Sequence, residues 1–154
     1  MTALTIALKN GNDSVTILGN TFGLSGDILI SAGTGSDTFT VKGISCLDLS
    51  LKASSAVGKT DTFDLENDTI TKSSSGGLTL DDSAGSGSDQ VTLAHLNIAF
   101  KLAVSLSHGI NTLSADHVTA MFGGFINGGP SGSNTYNDGG GNSANILISN
   151  FQGH

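Results

Sequence analysis

The residues with the clearest capacity for chemistry are carboxylates and amides that recur at a regular spacing. One such residue follows a glycine-rich turn in each of six segments: Asp13, Asp37, Asp61, Asp89, Asn111 and Asn134. The steps between them are 24, 24, 28, 22 and 23 residues. A period in the twenties, carried by strand-like segments, predicts a β-solenoid, in which the six residues would stack in one column.

Stacked carboxylates repel one another, so this column requires an explanation. At the ~4.8 Å spacing of neighbouring strands, two unit charges repel by about 0.9 kcal/mol in water and about 3.5 kcal/mol at an effective dielectric near 20. One interpretation is that each Asp or Asn caps its own turn while its charge faces solvent. The other is that Ca²⁺ is shared between adjacent turns, with Asp13, Asp37, Asp61 and Asp89 as ligands. Both interpretations remain open at this point, although asparagine at the last two positions disfavours metal there.

The elements that would position this column are short strands with strict polar/apolar alternation. After each turn, two inward columns are predicted. The first is Val15, Phe39, Phe63, Val91, Leu113 and Tyr136, and the second is Ile17, Val41, Leu65, Leu93, Ala115 and Asp138. Alternation sends a row of hydroxyl side chains outward: Ser14, Thr16, Thr38, Thr40, Thr62, Thr92, Thr112, Ser114 and Thr135, interrupted by Asp64, Gln90 and Asn137.

Two further strands are predicted in each repeat. One precedes the turn, as in Ile28 to Ile30, Leu102 to Val104 and Phe125 to Asn127, and a weaker one follows the Asp strand, as in Phe22 to Leu24. We therefore expect an all-β fold, a right-handed parallel β-helix of about six three-sided coils of 22–28 residues, with Ile146 to Ile148 opening a seventh.

The whole chain, 1–154, is predicted to be one solenoid domain, with a polar loop inserted near 71–77 where the step grows to 28. Residues 93–106 and 114–122 also match helical spacing. Strands are preferred there because both segments fall on the repeat.

The outward hydroxyl row has two interpretations. Its positions lie ~6.8 Å apart along a strand and ~4.8 Å between coils, which gives a flat polar lattice that could bind ice or carbohydrate. This lattice looks like the Thr-x-Thr faces of β-solenoid ice-binding proteins. Alternatively, threonine is simply favoured on exposed sheet faces.

The sequence of the repeat resembles that of known repeat arrays. Gly33-Thr34-Gly35-Ser36-Asp37-Thr38-Phe39-Thr40-Val41 and its copies resemble the "GxGxD-T-hydrophobic-T-hydrophobic" repeats of very large predicted exported proteins of planctomycetes and related bacteria. That resemblance implies a structural or surface-exposed array without catalytic residues. The turns are also partly similar to calcium-binding repeats-in-toxin sequences, although here the turn occurs once per coil and lacks a tandem second copy.

Composition argues against several classes of function. The chain has a net charge of −7 and six lysines without any arginine, so the clustered basic surface that nucleic acid requires is not expected. No apolar run reaches the ~20 residues of a membrane span, and no signal peptide follows Met1, so a signal is expected outside this segment if the protein is exported. Cys46, the single cysteine, is expected to be an inward hydrophobe.

An enzyme acting on polysaccharide is the third interpretation, because some such enzymes are β-helices, but fold alone does not carry function. Trp and Arg are absent, His95, His108, His117 and His154 look scattered, and Asp81–Asp82 is interpreted as a solvated loop. We expect a non-catalytic module of a secreted or cell-surface protein, acting as a stiff spacer or an adhesion and display surface. Its open ends predict self-association end to end, or continuation into a longer array.

Overall fold

The computed structural model describes residues 3–19, 26–131 and 133–152, and these residues form three parallel sheets. The seven-stranded sheet contains β1 (Ala3–Ala7), β3 (Asp27–Gly35), β6 (Leu49–Ser55), β9 (Gly77–Asp81), β12 (Lys101–Ser105), β15 (Gly124–Asn127) and β17 (Ile146–Ser149). The six-stranded sheet contains β2 (Ser14–Leu18), β4 (Thr38–Lys42), β7 (Thr60–Glu66), β10 (Ser88–Ala94), β13 (Thr112–Asp116) and β16 (Thr135–Gly140). The four-stranded sheet contains β5 (Ser45–Cys46), β8 (Thr69–Ile70), β11 (Asn97–Ile98) and β14 (Thr119–Ala120).

The chain visits the three sheets in turn, so that each strand pairs with its counterpart one coil away. In the six-stranded sheet, for example, β4 lies between β2 and β7, 24 residues before and after it. This is the predicted parallel β-solenoid of about six coils, which the structure confirms. The hand of the coil stays a prediction. The described residues contain no helix long and apolar enough to cross a membrane.

The core lies between the three sheets and is built from stacked columns of like residues. Val15 pairs with Phe39, Phe39 with Phe63, and Phe63 with Val91, as the alternation predicts. The Phe39 and Phe63 rings stack with centroids 5.0 Å apart and planes 5° from parallel. Since one coil places its side chains directly over the next, the inward faces form an apolar interior in which each coil packs on its neighbours.

β15 lies one residue out of step with a direct match of Phe125 to Leu102. Leu102 pairs with Gly124, and Phe125 pairs with Ala103 on the outer face, where it is 44% exposed. A Cβ atom at position 124 would collide with the Leu102 carbonyl oxygen, so only glycine fits the inward position there. Phe125 therefore lies outside and Ile126 takes the next inward place.

The remaining segments follow the repeat. The two stretches with helical spacing form β10 to β12 and β13 to β14, so the preference for strands is confirmed. Residues 71–76 connect β8 to β9 without a strand. The predicted strand from Phe22 to Leu24 lies outside the described residues.

Candidate functional sites

The outer surface of the six-stranded sheet carries the predicted hydroxyl row, which we call the threonine face. None of its members is buried: Ser14, Thr16, Thr38, Thr40, Thr62, Thr92, Thr112, Ser114 and Thr135. They lie in two columns at the predicted register, with Ser14 beside Thr38 and Thr38 beside Thr62 in the first. The face is therefore a continuous polar surface that crosses all six coils.

Charged residues interrupt the threonine face in its second column. Thr40 lies beside Asp64, and Lys42 Nζ contacts the carboxylates of Asp64 at 2.7 Å and Glu66 at 3.2 Å. These half-exposed ion pairs break the hydroxyl lattice in the middle of the sheet. The second column of the threonine face is therefore not an unbroken row of hydroxyl groups.

The Asp/Asn column lies on the inner side of the turns, which corrects the solvent-facing interpretation. Asp37, Asp61, Asp89, Asn111 and Asn134 are at most 1% exposed, and Asp13, in the terminal coil, is partly buried. Each side chain precedes an outward residue of the six-stranded sheet, so strand alternation directs it inward. The sequence already contained this signal in the predicted outward position of Thr38.

The column joins neighbouring coils rather than capping single turns. Asp37 Oδ1 accepts a hydrogen bond from Asp13 N–H at 2.9 Å, and Asp61 Oδ1 accepts one from Asp37 N–H at 2.7 Å. Asn111 Oδ1 accepts in the same way from Asp89 N–H, and Asn134 Oδ1 from Asn111 N–H. Four of the six side chains, those of Asp37, Asp61, Asn111 and Asn134, thus satisfy the backbone donor of the column residue one coil earlier.

Aspartate and asparagine differ in what happens to the second side-chain atom. Asn111 Nδ2 donates to the carbonyl oxygens of Ser107 and Gly128, both at 2.8 Å. The buried Oδ2 atoms of Asp13, Asp37 and Asp61 find no hydrogen-bond partner among the described residues. Burial raises the pKa of Asp37 above its ordinary value and raises that of Asp61 to about 6.

The same contrast recurs at a second corner, which sequence reasoning missed. Asp68 Oδ1 accepts from Ile44 N–H at 3.0 Å, as Asn142 Oδ1 accepts from Val118 N–H at 2.8 Å. Asn142 Nδ2 donates to Ala115 O, whereas Asp68 Oδ2 is buried without a partner in the described part of the chain. Burial is the main cause that raises the Asp68 pKa to about 7.

Three buried carboxylates meet where coils three and four turn, and we call them the carboxylate triad: Asp61, Asp82 and Asp89. One oxygen from each lies within 4.8 Å of the others. Asp82 is fully buried and accepts hydrogen bonds from Ser55 N–H and Ser55 Oγ, both at 3.0 Å. The interpretation of Asp82 as part of a solvated loop is therefore wrong.

The electrostatics of the carboxylate triad follow from its burial. Desolvation, followed by the neighbouring Asp89 carboxylate, raises the pKa of Asp82 to about 8. None of the ion pairs within the described residues includes a triad member. The triad therefore favours either a retained proton or a bound cation. The sequence could not place Asp82 there because it lies in a connection outside the repeat.

A second cluster lies on the outside of the solenoid. His95 and His117 occupy the same corner of adjacent coils, and their rings stack 5.2 Å apart with planes 3° from parallel. Asp116 Oδ1 lies 2.7 Å from His117 Nδ1, and Asp116 Oδ2 lies 3.9 Å from His95 Nε2. The interpretation of these histidines as scattered is wrong. Their 22-residue separation, equal to the step from Asp89 to Asn111, was the signal.

Exposed phenylalanines line a shallow groove beside β15. Phe122, Phe125 and Leu147 surround a volume of about 390 Å³. Phe122 packs against Phe100 with ring centroids 5.2 Å apart. Lys101 and Asn145 also line this groove, which is otherwise apolar.

No protein-family model, curated protein or solved structure matches this chain. Its candidate sites are therefore interpreted from their own geometry.

Replacing Asp68 with asparagine tests the cost of an unpartnered buried oxygen. The pKa of Asp68 in the folded chain, about 7, lies above its ordinary value, so protonation of Asp68 stabilises the fold. This contribution to the free energy of unfolding is fully present below about pH 4 and is lost as the pH rises through 7. We expect Asp68→Asn to match the wild type near pH 4 and to exceed its free energy of unfolding by about 1–3 kcal/mol at pH 8. Urea denaturation followed by circular dichroism measures both values.

Two variants control this experiment. Asp27→Asn, at an exposed carboxylate, should change stability little at either pH. Asn142→Asp should introduce the wild-type penalty at the equivalent corner and lower stability at pH 8. An Asp68→Asn variant that is less stable than the wild type at pH 8 would contradict the assignment.

Proposed function

We propose that the protein is a non-catalytic structural module of a secreted or cell-surface protein, a stiff rod that spaces or displays other groups. Three continuous parallel sheets support this proposal, because they resist bending along the stack while each coil needs only its neighbours. The threonine face provides a long, solvated surface for display. The proposed role requires no catalytic residue.

The observation that carries the proposal is the state of the two ends of the stack. Leu4 and Ile6 at one end, and Ile146 and Ile148 at the other, are only partly buried. Ile30, which pairs with Ile6 one coil further inside the stack, is fully buried. A further coil, from flanking residues of the same polypeptide or from a second copy, would cover these apolar ends and extend the rod.

A charged substitution at one end of the stack tests whether the chains associate end to end. We expect the wild-type chain to associate end to end, because stacking buries the apolar ends and pairs the edge strands. Light scattering coupled to size exclusion should show mass rising with concentration, and small-angle scattering should show growing length at constant cross-section. Ile148→Glu should keep the chain monomeric because it would bury a charge at the junction.

The matched control is the neighbouring residue of the same strand. Leu147 is 73% exposed on the outer face, so Leu147→Glu should leave association unchanged. A wild-type chain that stays monomeric at millimolar concentration, or a Leu147→Glu variant that dissociates as fully as Ile148→Glu, would contradict the proposal.

A second candidate function, calcium binding, is supported by the carboxylate triad. Its three oxygens lie within 4.8 Å of one another, about twice the ~2.4 Å distance of a Ca²⁺–oxygen bond. One ion could therefore contact all three and cancel their repulsion. A Cβ atom at Gly85 would lie 2.7 Å from Asp82 Oδ1 and 2.8 Å from Ser55 Oγ, so the backbone closes tightly over the triad. Asp13 and Asp37, the other predicted ligands, lie outside this cluster of three.

Thermal unfolding with and without calcium tests the triad. After EDTA treatment, Ca²⁺ at a hundred times its dissociation constant would stabilise the fold by about 2.7 kcal/mol, which is roughly 5–10 °C in Tm. At about pH 9, above the raised pKa of Asp82, Asp82→Asn should raise the Tm in EDTA because it removes a buried charge, and it should abolish the calcium response. Asp27→Asn should keep that response.

Each arm of the calcium experiment can fail separately. A wild-type Tm that does not move with millimolar Ca²⁺ would leave the triad as a proton-sharing group and remove the calcium function. An Asp82→Asn variant that still responds would place the ion elsewhere. Neither result affects the end-to-end association on which the structural role depends.

A further inference from the structure

The backbone places two imidazoles and one carboxylate together at one outer corner, where β10 and β13 end. His95 and His117 follow the last residues of these strands and adopt left-handed backbone conformations, with φ of 54° and 51°. Gly43 and Asn67 have φ of 69° and 59° at the equivalent corners of earlier coils. The conformation therefore belongs to the fold, and the identity of the side chain at this corner is free to vary.

Hydrogen bonds between coils fix the relative positions of the three residues. His95 N–H donates to the Asp116 carbonyl oxygen at 2.8 Å, and His117 N–H donates to the Gly140 carbonyl oxygen at 2.8 Å. The ladder holds the two Cα atoms about one strand spacing apart. Gly141, at the corner of the next coil, leaves room for the His117 ring, because a Cβ atom there would lie 2.6 Å from His117 Cδ2.

The Asp116 carboxylate orients one imidazole. His117 Nδ1–H donates to Asp116 Oδ1 at 2.7 Å, so in the neutral ring the lone pair lies on Nε2. Such a carboxylate–imidazole contact fixes ring orientation and raises ligand basicity in metal sites. The second oxygen, Asp116 Oδ2, lies 3.9 Å from His95 Nε2.

From this juxtaposition we propose that His95, His117 and Asp116 bind a divalent transition-metal ion of the zinc, copper or nickel class. Each residue offers one ligand atom, and these atoms lie within 4.8 Å of one another. Metal–ligand bonds of ~2.0–2.2 Å to nitrogen and oxygen require the three ligand atoms to move somewhat closer to one another when the ion binds. The histidine side chains are 54% and 61% exposed, which leaves them open to ions from solution.

The donor set selects the class of metal. Imidazole nitrogen suits Zn²⁺, Cu²⁺ and Ni²⁺, whereas Ca²⁺ and Mg²⁺ require oxygen ligands. Three protein ligands leave a coordination position for water or for a donor from another molecule. The site is therefore chemically distinct from the buried carboxylate triad, and neither depends on the other.

Isothermal titration with Zn²⁺ at pH 7.5 tests the assignment. We expect one ion per chain for the wild type and at least a tenfold weaker affinity in both His95→Ala and His117→Ala. The matched control is His108→Ala, whose imidazole lies in another connection against the Gly85 carbonyl oxygen and should leave the affinity unchanged. Asp116→Asn should weaken binding while circular dichroism shows an unaltered fold.

The outcomes separate cleanly. An absence of Zn²⁺ binding by the wild type, or equal affinity in His95→Ala, His117→Ala and His108→Ala, would overturn the proposal. Replacing Zn²⁺ with Co²⁺ gives an independent readout. Visible absorption from a bound nitrogen- and oxygen-ligated ion should appear in the wild type and be lost in His95→Ala. Retention of the same spectrum in that variant would also overturn the site.

Discussion

The fold depends on the in-register stacking of each coil on the next. Parallel pairing places each residue opposite its counterpart one coil away, as Phe39 lies opposite Phe63 and Thr38 opposite Thr62. Hydrogen bonds between strands satisfy the backbone groups of the three sheets, but the turns bury backbone N–H groups that are not paired with a strand. Asp and Asn oxygens from the next coil accept from these donors, so the same register that builds the core also connects the corners.

Stacking also explains why the chemistry of this molecule comes in rows. Any residue type repeated at one position becomes a column with a spacing of ~4.8 Å, whatever its role. Apolar residues give the dry interior, hydroxyls give the threonine face, carboxylates give buried unpartnered oxygens, and two histidines give a stacked pair. The carboxylates are costly because they are inside, where asparagine would supply the missing donor. The histidines are accessible because their corner faces solvent.

Much of this arrangement could be predicted from sequence, because the repeat and the alternation act together. The columns through Phe39 and through Thr38 follow directly from the turn spacing. The failures arose where local physics departs from the repeat. Gly124 takes the inward place opposite Leu102, where a side chain would collide with the backbone, so the apolar Phe125 lies outside. Asp82 lies in a connection of irregular length, so no period could place it beside Asp61.

Two other features of the structure are contained in the repeat itself. Asp37 precedes an outward threonine, so alternation alone directs it inside, although the general preference of carboxylates for water favoured the opposite interpretation. His95 and His117 are one repeat apart, which in a solenoid means contact. The partners of each hydrogen bond, by contrast, depend on side-chain rotamers and on the depth of each turn, and no pattern of residue types specifies them.

The most direct measurement of the central claim, that positions one repeat apart lie above one another, is a set of distances between spin labels on the threonine face. In a Cys46→Ala background, pairs of cysteines at Ser14 and Thr112 and at Ser14 and Thr135 are separated by four and five coils. Double electron–electron resonance measures the distances between the two labels. These distances should follow the backbone separations of about 19 and 24 Å, rising by ~4.8 Å per coil. Distances that do not increase with the number of intervening coils would contradict the stacked fold and every site inferred from it.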